Sequence, residues 1–410
     1  MKLLHITSVY PDYAERFYAA RPGLEEKSYG QQLDTLFCDA FAWADAWKNA
    51  LEPIGYDVQE GVLNVMPLQA AWARENLPTL FRIADHGAIA VEQIRKFAPD
   101  ILWFDHHDAG LLARIREQVP AIRLVLGWVG SAMPQQNAFA HCDMVLSCSR
   151  ESVERLAALG HRSAELHHGF DARILSRLGR PERSDEFIFI GQLLRGTEFH
   201  LAREKLLEEI VEALPLKIFS PTFSIGSPRG VKRLIKECIA AGYEALRAVG
   251  GGALASRLLR VTGRSEDWLF PVAPSVNPKL ATHMAQGIYG LRMYQAVRDA
   301  RVTLNIHADS SDRYASNMRL FEVTGVGGCL LTDWKPNLRE LFNLDEEVVA
   351  YRSAAEAVEK AQWLLQHAEA RNAIARAGQA RTLRDHTFGH RAGRFHQIVT
   401  SALRKEPSLA

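Results

Sequence analysis

Arg319 and Glu322 stand three residues apart in the run 302–333, VTLNIHADSSDRYASNMRLFEVTGVGGCLLTD. Ser316 sits in N-cap position for a short helix from Asn317 to about Thr324. That spacing puts both charges on one helix face. A cation in the first turn opposes the helix macrodipole. An anion held by the free N–H groups reverses that penalty, and phosphate is the usual one. A carboxylate one turn deeper can accept hydrogen bonds from two neighbouring hydroxyls. One helix would then grip a phosphate at its tip and a ribose behind it. The same spacing also describes an exposed i,i+3 ion pair of little energetic weight, and spacing alone does not choose between them.

The flanking residues say how such a helix would be positioned. Residues 302–307 are apolar enough for a buried strand, 329–332 for a second, and Gly325, Gly327 and Gly328 stop the helix between them. The result is a βαβ unit whose loop 308–315 lies at the carboxyl end of a parallel strand, where open α/β sheets bind ligands. His307 and Asp309, at the strand exit, point toward the same pocket as Ser316 and Arg319.

A second polar cluster, Asp105-His106-His107-Asp108, follows a strand at 100–104. It suits a catalytic base or an acceptor-binding loop, because an Asp beside a His can orient it. It equally suits a plain loop in which Asp108 caps the next helix. Metal binding fits poorly, since adjacent loop side chains rarely converge on one ion. Trp128, after a strand at 122–126, suits sugar stacking or the core.

Composition narrows the class. With 410 residues, 47% hydrophobic and 24% charged, the chain is long enough for two globular domains. Its 49 basic and 48 acidic residues leave a net charge of +1, which gives no electrostatic footprint for nucleic acid. Five scattered cysteines without a C-x-x-C predict reduced thiols and a cytoplasmic protein. The N-terminus runs directly into a strand, without a signal-peptide pattern. No run of 18 apolar residues predicts a membrane span. The basic residues Arg229, Lys232, Arg233 and Lys236 on a helix at 231–249 read as a solvated face, with peripheral contact to anionic lipid as the lesser alternative. Strands at 3–8, 56–63, 100–104, 122–126 and 144–147 alternate with helices at 31–51 and 70–97, predicting a parallel sheet covered on both faces. The strand pattern restarts at 187–190 and ends at 346–351.

Asn317-x-Arg319-x-Phe321-Glu322, followed by Gly-x-Gly-Gly, Leu-Leu-Thr-Asp and Leu341-Phe342, resembles the C-terminal signature of group 1 glycosyltransferases, in particular the spore-maturation-protein-like branch. The resemblance runs from residue 289 to about 391. It implies an α/β, GT-B fold, two Rossmann-like doubly wound domains facing across a cleft. Residues 1–170 would form the acceptor domain and 171–387 the donor domain, with a final helix at 388–404 packing back on the first. The segment His167–Asp171 resembles the family's crossing between domains. By the same resemblance Glu322 binds the ribose of a nucleotide-sugar. Ser316, Asn317 and Arg319, at the helix start, face the diphosphate, and the loop carrying Gly191 and Arg195 lies against it; His307, at the strand end facing that helix start, contacts the diphosphate or is a satisfied strand-end histidine. The commonest family pattern has another glutamate eight residues before Glu322, where this chain has Tyr314. The sugar-facing half of the motif and the stereochemical outcome therefore stay open.

The expected activity is metal-independent transfer of a sugar, without a cofactor, from a nucleoside diphosphate donor to a hydroxyl of a glycan, lipid-linked or protein acceptor. His106, His107 and Asp108 would serve the acceptor side. Asp309-Ser-Ser-Asp312 has the wrong spacing for a metal-binding Asp-x-Asp. Two alternatives remain: a nucleotide-sugar epimerase or hydrolase of the same fold, and a non-catalytic nucleotide-sugar or polysaccharide binder.

Overall fold

The structure is a computed structural model that describes residues 1–77, 86–130, 132–134, 137–182, 187–193, 200–221, 229–248, 251–252, 254–255, 277–309 and 312–404. Arg195 lies outside the described residues. Among the described residues twelve strands form two six-stranded sheets, with helices in most of the connections, which is the α/β GT-B arrangement. The first sheet has the order β2-β1-β3-β4-β5-β6, from Lys2–Thr7 (β1), Asp57–Val62 (β2), Ile101–Phe104 (β3), Leu124–Val129 (β4), Met144–Ser147 (β5) and Ser163–Glu165 (β6). The second has the order β12-β11-β10-β7-β8-β9, from Phe187–Ile190 (β7), Lys217–Ser220 (β8), Met284–Gln286 (β9), Val302–Asn305 (β10), Leu330–Asp333 (β11) and Val349–Tyr351 (β12). β3, β4, β5, β7 and β10 are buried at every position, as expected of parallel strands covered on both faces.

Two compact units result: Met1–Ile188 with Tyr289–Ala410, and Phe189–Ile288. The larger unit holds a tryptophan-rich core. Trp43, Trp47, Trp103 and Trp128 pack with Leu3 and with Phe388, Phe395 and Val399 of the closing helix Phe388–Leu403.

Helices read as continuous are broken where distant residues claim the backbone. The stretch 31–51 divides into Tyr29–Cys38 and Ala46–Leu51, with Ala40, Ala42 and Ala44 between them at φ of 54°, 54° and 45°. Asp39 sits at the break. Its carboxylate accepts from the Tyr13 hydroxyl at 2.9 Å, and its carbonyl accepts from the Leu291 N–H at 2.7 Å. Gly290, at φ +55°, makes that approach feasible, since a Cβ there would stand 2.3 Å from the same carbonyl. In the stretch 70–97 the helix Met66–Asn76 stops at an extended Leu77, and His86–Phe97 is helical.

His168, buried beside Trp43 and Trp128, carries a pH-dependent part of the fold. Trp43 Nε1 donates to His168 Nδ1 at 3.1 Å, so the neutral ring keeps its proton on Nε2. Burial, reinforced by His167 and Arg391, pushes its pKa down to about 3. A base with a folded pKa below its unfolded value stabilises fully above the unfolded value, and that contribution is lost as pH falls. Lowering pH from 7 to 5 should therefore cost roughly 1–2 kcal/mol through His168. The gap between denaturant midpoints at the two pH values should narrow in His168→Gln, while His167, His200 and His386, also pushed down to about 4 by burial, keep part of it. Parallel losses in both proteins would assign the acid sensitivity elsewhere.

Candidate functional site

The helix bearing Arg319 and Glu322 spans Arg319–Gly325. It starts two residues later than the sequence suggests, with Met318 as N-cap and no side-chain cap. Ser316 is 3% exposed, and its hydroxyl is hydrogen-bonded to the Cys148 thiol, which burial pushes up to about 12. A hydroxyl spent there does not cap the helix. The preceding residues are tied to other elements too. Ala315 exchanges backbone hydrogen bonds with the Asn337 amide at 2.7 and 3.0 Å, and Asn317 Nδ2 donates to Asn305 Oδ1 at 2.8 Å.

Arg319 and Glu322 do form the i,i+3 ion pair, but it is buried rather than exposed. Nη1 lies 2.8 Å from Oε2, with side chains 16% and 7% exposed. Tyr294 donates to the other carboxylate oxygen at 3.3 Å, and Arg319 Nη1 also meets Met293 Sδ at 2.8 Å. The Arg319 Nε and Nη2 groups have no hydrogen-bond partner among the described residues. Glu322 retains acceptor capacity beyond its two partners. Burial, then the Glu322 charge, raises the Tyr294 pKa well above its ordinary value, so the phenol stays a donor. Behind this pair Gly325 lies against Phe170, where a Cβ would come within 2.4 Å of the ring.

His307 and Asp333, at the carboxyl ends of β10 and β11, form a second buried pair at 2.6 Å. Burial alone would raise the Asp333 pKa, but its interactions with His307 and the nearby Lys335 ammonium hold it below the usual carboxylate range. Lys335 Nζ is 3.6 Å from Asp333 Oδ2 and 3.9 Å from Asp312. The loop beside them is fastened to the first sheet's side: the Arg313 N–H donates to Glu151, its guanidinium pairs with Glu154 at 3.1 Å, and Arg150 pairs with Glu340 at 3.0 Å.

The cluster after β3 is largely committed to local structure. Asp108 accepts from the Leu111 N–H at 2.8 Å and so caps the helix Ala109–Gln118. His107 Nε2 lies 3.0 Å from the Trp128 carbonyl, and His106 packs edge-on to Phe104. Asp105, which spacing did not separate from its neighbours, accepts from the Thr7 hydroxyl at 3.3 Å, and burial raises its pKa. Trp128 is a core residue. In the smaller unit Gly191 follows β7, donates to the Phe219 carbonyl at 3.1 Å, and leaves no room for a Cβ against Phe189. Sequence reasoning passed over Asp333, Tyr294 and Asn305; an Asn at the end of an otherwise apolar buried strand was the available signal.

Among the described residues no three His, Cys, Asp or Glu side chains converge as a metal site would require, and no helix is long and apolar enough to cross a membrane. An open polar cavity of about 600 Å³ lies by β12, lined by Trp334, Arg339, Arg352 and Lys360 among others. Its cations are partly occupied, Lys360 by Glu356 at 2.8 Å and Arg352 by the Trp334 ring at 3.7 Å. None of its lining residues belongs to the seam around His307.

Comparison with known proteins agrees with the fold. No curated protein matches the chain. HepE of Anabaena, solved in complex with UDP-glucose, shares the fold at a TM-score of 0.55 and 11% identity, covering 98% of this chain and 100% of that one. A glycosyltransferase from Rickettsia africae ESF-5 does so at 0.53 and 10%, covering 99% of each chain. Sucrose-phosphate synthase from Thermosynechococcus elongatus does so at 0.51 and 10%, covering 99% of this chain and 100% of that one. Residues 245–397, which include the whole Arg319–Gly325 helix, match a family described as glycosyl transferase-like.

Proposed function

We propose that this protein is a glycosyltransferase that takes a sugar from a nucleoside diphosphate donor and passes it to an acceptor hydroxyl. The observation that carries this reading is the Arg319–Glu322 pair, buried on one helix at the carboxyl end of a parallel strand, with hydrogen-bonding capacity to spare. The unused guanidinium nitrogens of Arg319 face the diphosphate and stabilise it as charge develops on the leaving group. Glu322 accepts from the ribose hydroxyls. Side-chain cations supply the charge, so the transfer is metal-independent and needs no cofactor. The solved UDP-glucose complex of HepE, which has the same fold, supports a nucleotide-sugar as donor.

The acceptor side lies at the end of β3, at Asp105, His106, His107 and Asp108; Asp108 also caps the next helix and His107 also meets the Trp128 carbonyl. The diphosphate contacts of Gly191 and Arg195 rest on the family resemblance. The acceptor is a glycan, lipid-linked or protein hydroxyl, and the reaction takes place in the cytoplasm.

Titration with UDP-glucose, GDP-mannose and dTDP-glucose tests the donor. An assay of released nucleoside diphosphate, with and without an acceptor extract, tests the reaction. Acceptor-dependent release supports transfer; isomerised donor or acceptor-independent release favours an epimerase or hydrolase. Binding without turnover makes the protein a binding module, and binding of none removes the reading. Arg319→Ala should weaken the donor that binds by about 1–3 kcal/mol, the worth of hydrogen bonds to a charged group.

A further inference from the structure

The polar side chains at the ends of β10 and β11 form one connected hydrogen-bond chain, and a single carboxylate sets its direction. Asp333 is held ionised, so every group bonded to it must donate. His307 gives it both the backbone N–H, at 3.1 Å, and Nδ1–H, at 2.6 Å. In the neutral imidazole the ring proton is therefore on Nδ1, and Nε2 presents a lone pair. On the other branch Thr332 Oγ1 lies 3.4 Å from Asp333 Oδ1 and donates to it. Its oxygen can then accept from Asn305 Nδ2, at 2.9 Å across the strand register. Asn305 Oδ1 in turn accepts from Asn317 Nδ2 at 2.8 Å, which leaves Asn317 with Oδ1.

Both branches thus end in acceptors, His307 Nε2 and Asn317 Oδ1. Both atoms are buried without a partner. A buried acceptor left unpaired is costly, and two at the ends of one satisfied network mark places where a ligand donates. Ionised phosphate oxygens only accept, so a diphosphate has nothing to offer at either atom. Hydroxyl groups do.

We propose that His307 Nε2 and Asn317 Oδ1 accept hydrogen bonds from hydroxyls of the nucleotide-sugar, on its ribose or its transferred sugar, and that Asp333 is the positioning residue that fixes both as acceptors. This deepens the donor-site reading and rests on it. It also moves His307 and Asn317 from the diphosphate, where the sequence reading put them, to the hydroxyl-bearing part of the donor. Solvent does not reach either atom.

The test compares three probes in the uridine and guanosine series: the nucleotide-sugar (UDP-glucose or GDP-mannose), the nucleoside diphosphate, and its 2′,3′-dideoxy form. Asp333→Asn lets position 333 donate and frees the imidazole tautomer. It should cost about tenfold in affinity for the hydroxyl-bearing probes and leave the probe lacking those hydroxyls unchanged. Asn317→Leu should do the same, and it decides the matter if Asp333→Asn fails to fold. A loss confined to the nucleotide-sugar places the contacts on the transferred sugar. A loss shared by the diphosphate but not its dideoxy form places them on the ribose. Equal weakening of all probes, or of none, overturns the proposal while leaving the donor site standing. Failure of wild type to bind any probe removes the donor site itself.

Discussion

Replacing Glu322 by alanine should destabilise the protein by about 3–5 kcal/mol and weaken nucleotide-sugar binding at the same time. The stability loss follows from burial. Breaking a buried ion pair from one side leaves the other charge uncompensated. Here the survivor is Arg319, 16% exposed, and the buried Tyr294 hydroxyl also loses its acceptor. The two effects can be separated. Replacing both charges by apolar residues of similar size is often neutral, because the desolvation of both ions is relieved together. The double variant Arg319→Met, Glu322→Leu should therefore regain most of the stability and none of the donor affinity. Denaturant unfolding reports the first quantity and nucleotide-sugar titration the second. If the double variant bound donor as wild type does, the pair would be a structural tie and the ribose contact would lie elsewhere.

The βαβ unit around this pair was readable from sequence for local reasons. β10 alternates the apolar Val302 and Leu304 with polar residues, β11 begins with the apolar Leu330 and Leu331, and the chain turns where three glycines cluster. The start of the intervening helix was not readable. Ser316 looks like an N-cap until Cys148, remote in sequence, claims its hydroxyl. The break after Cys38 was hidden in the same way, by the bond between Asp39 and Leu291. β6, Ser-Ala-Glu, and β9, Met-Ala-Gln, carry no apolar or β-branched run that would separate them from loops. Asp108 was readable as a cap because its partner is three residues away. Asp333 was not readable as the organiser of the strand-end network, because a strand-final Asp looks like ordinary turn chemistry. Its importance lies in groups brought to it by strand register, and sequence spacing carries none of that.

Phe395→Ala should cost about 3–5 kcal/mol of stability, as truncation of a large core aromatic does. Phe395 is fully buried, stacks on Trp103 at 5.1 Å between ring centroids, and also meets Trp47 at 5.6 Å and Tyr56 at 6.2 Å. Four aromatics fixed by one another have little freedom to close a cavity, which favours the upper part of that range. Donor affinity should stay within about twofold, because the helix carrying Phe395 is joined to the site through the Phe170 backbone and the Arg391 guanidinium over the Phe321 ring, 5.3 Å from its centroid, rather than through the Phe395 ring. The Phe170 N–H donates to the His386 carbonyl at 2.8 Å, the Phe388 N–H donates to the Phe170 carbonyl at 3.2 Å, and the Phe170 ring lies against Gly325 of the Arg319–Glu322 helix. Those contacts survive the truncation. Denaturation and nucleotide-sugar titration, run at a temperature where the variant is fully folded, give the two numbers. A fall in affinity matching the fall in stability would mean that the closing helix holds Arg319 and Glu322 in place through its core packing, and that the backbone bridge at Phe170 is too weak to do so alone.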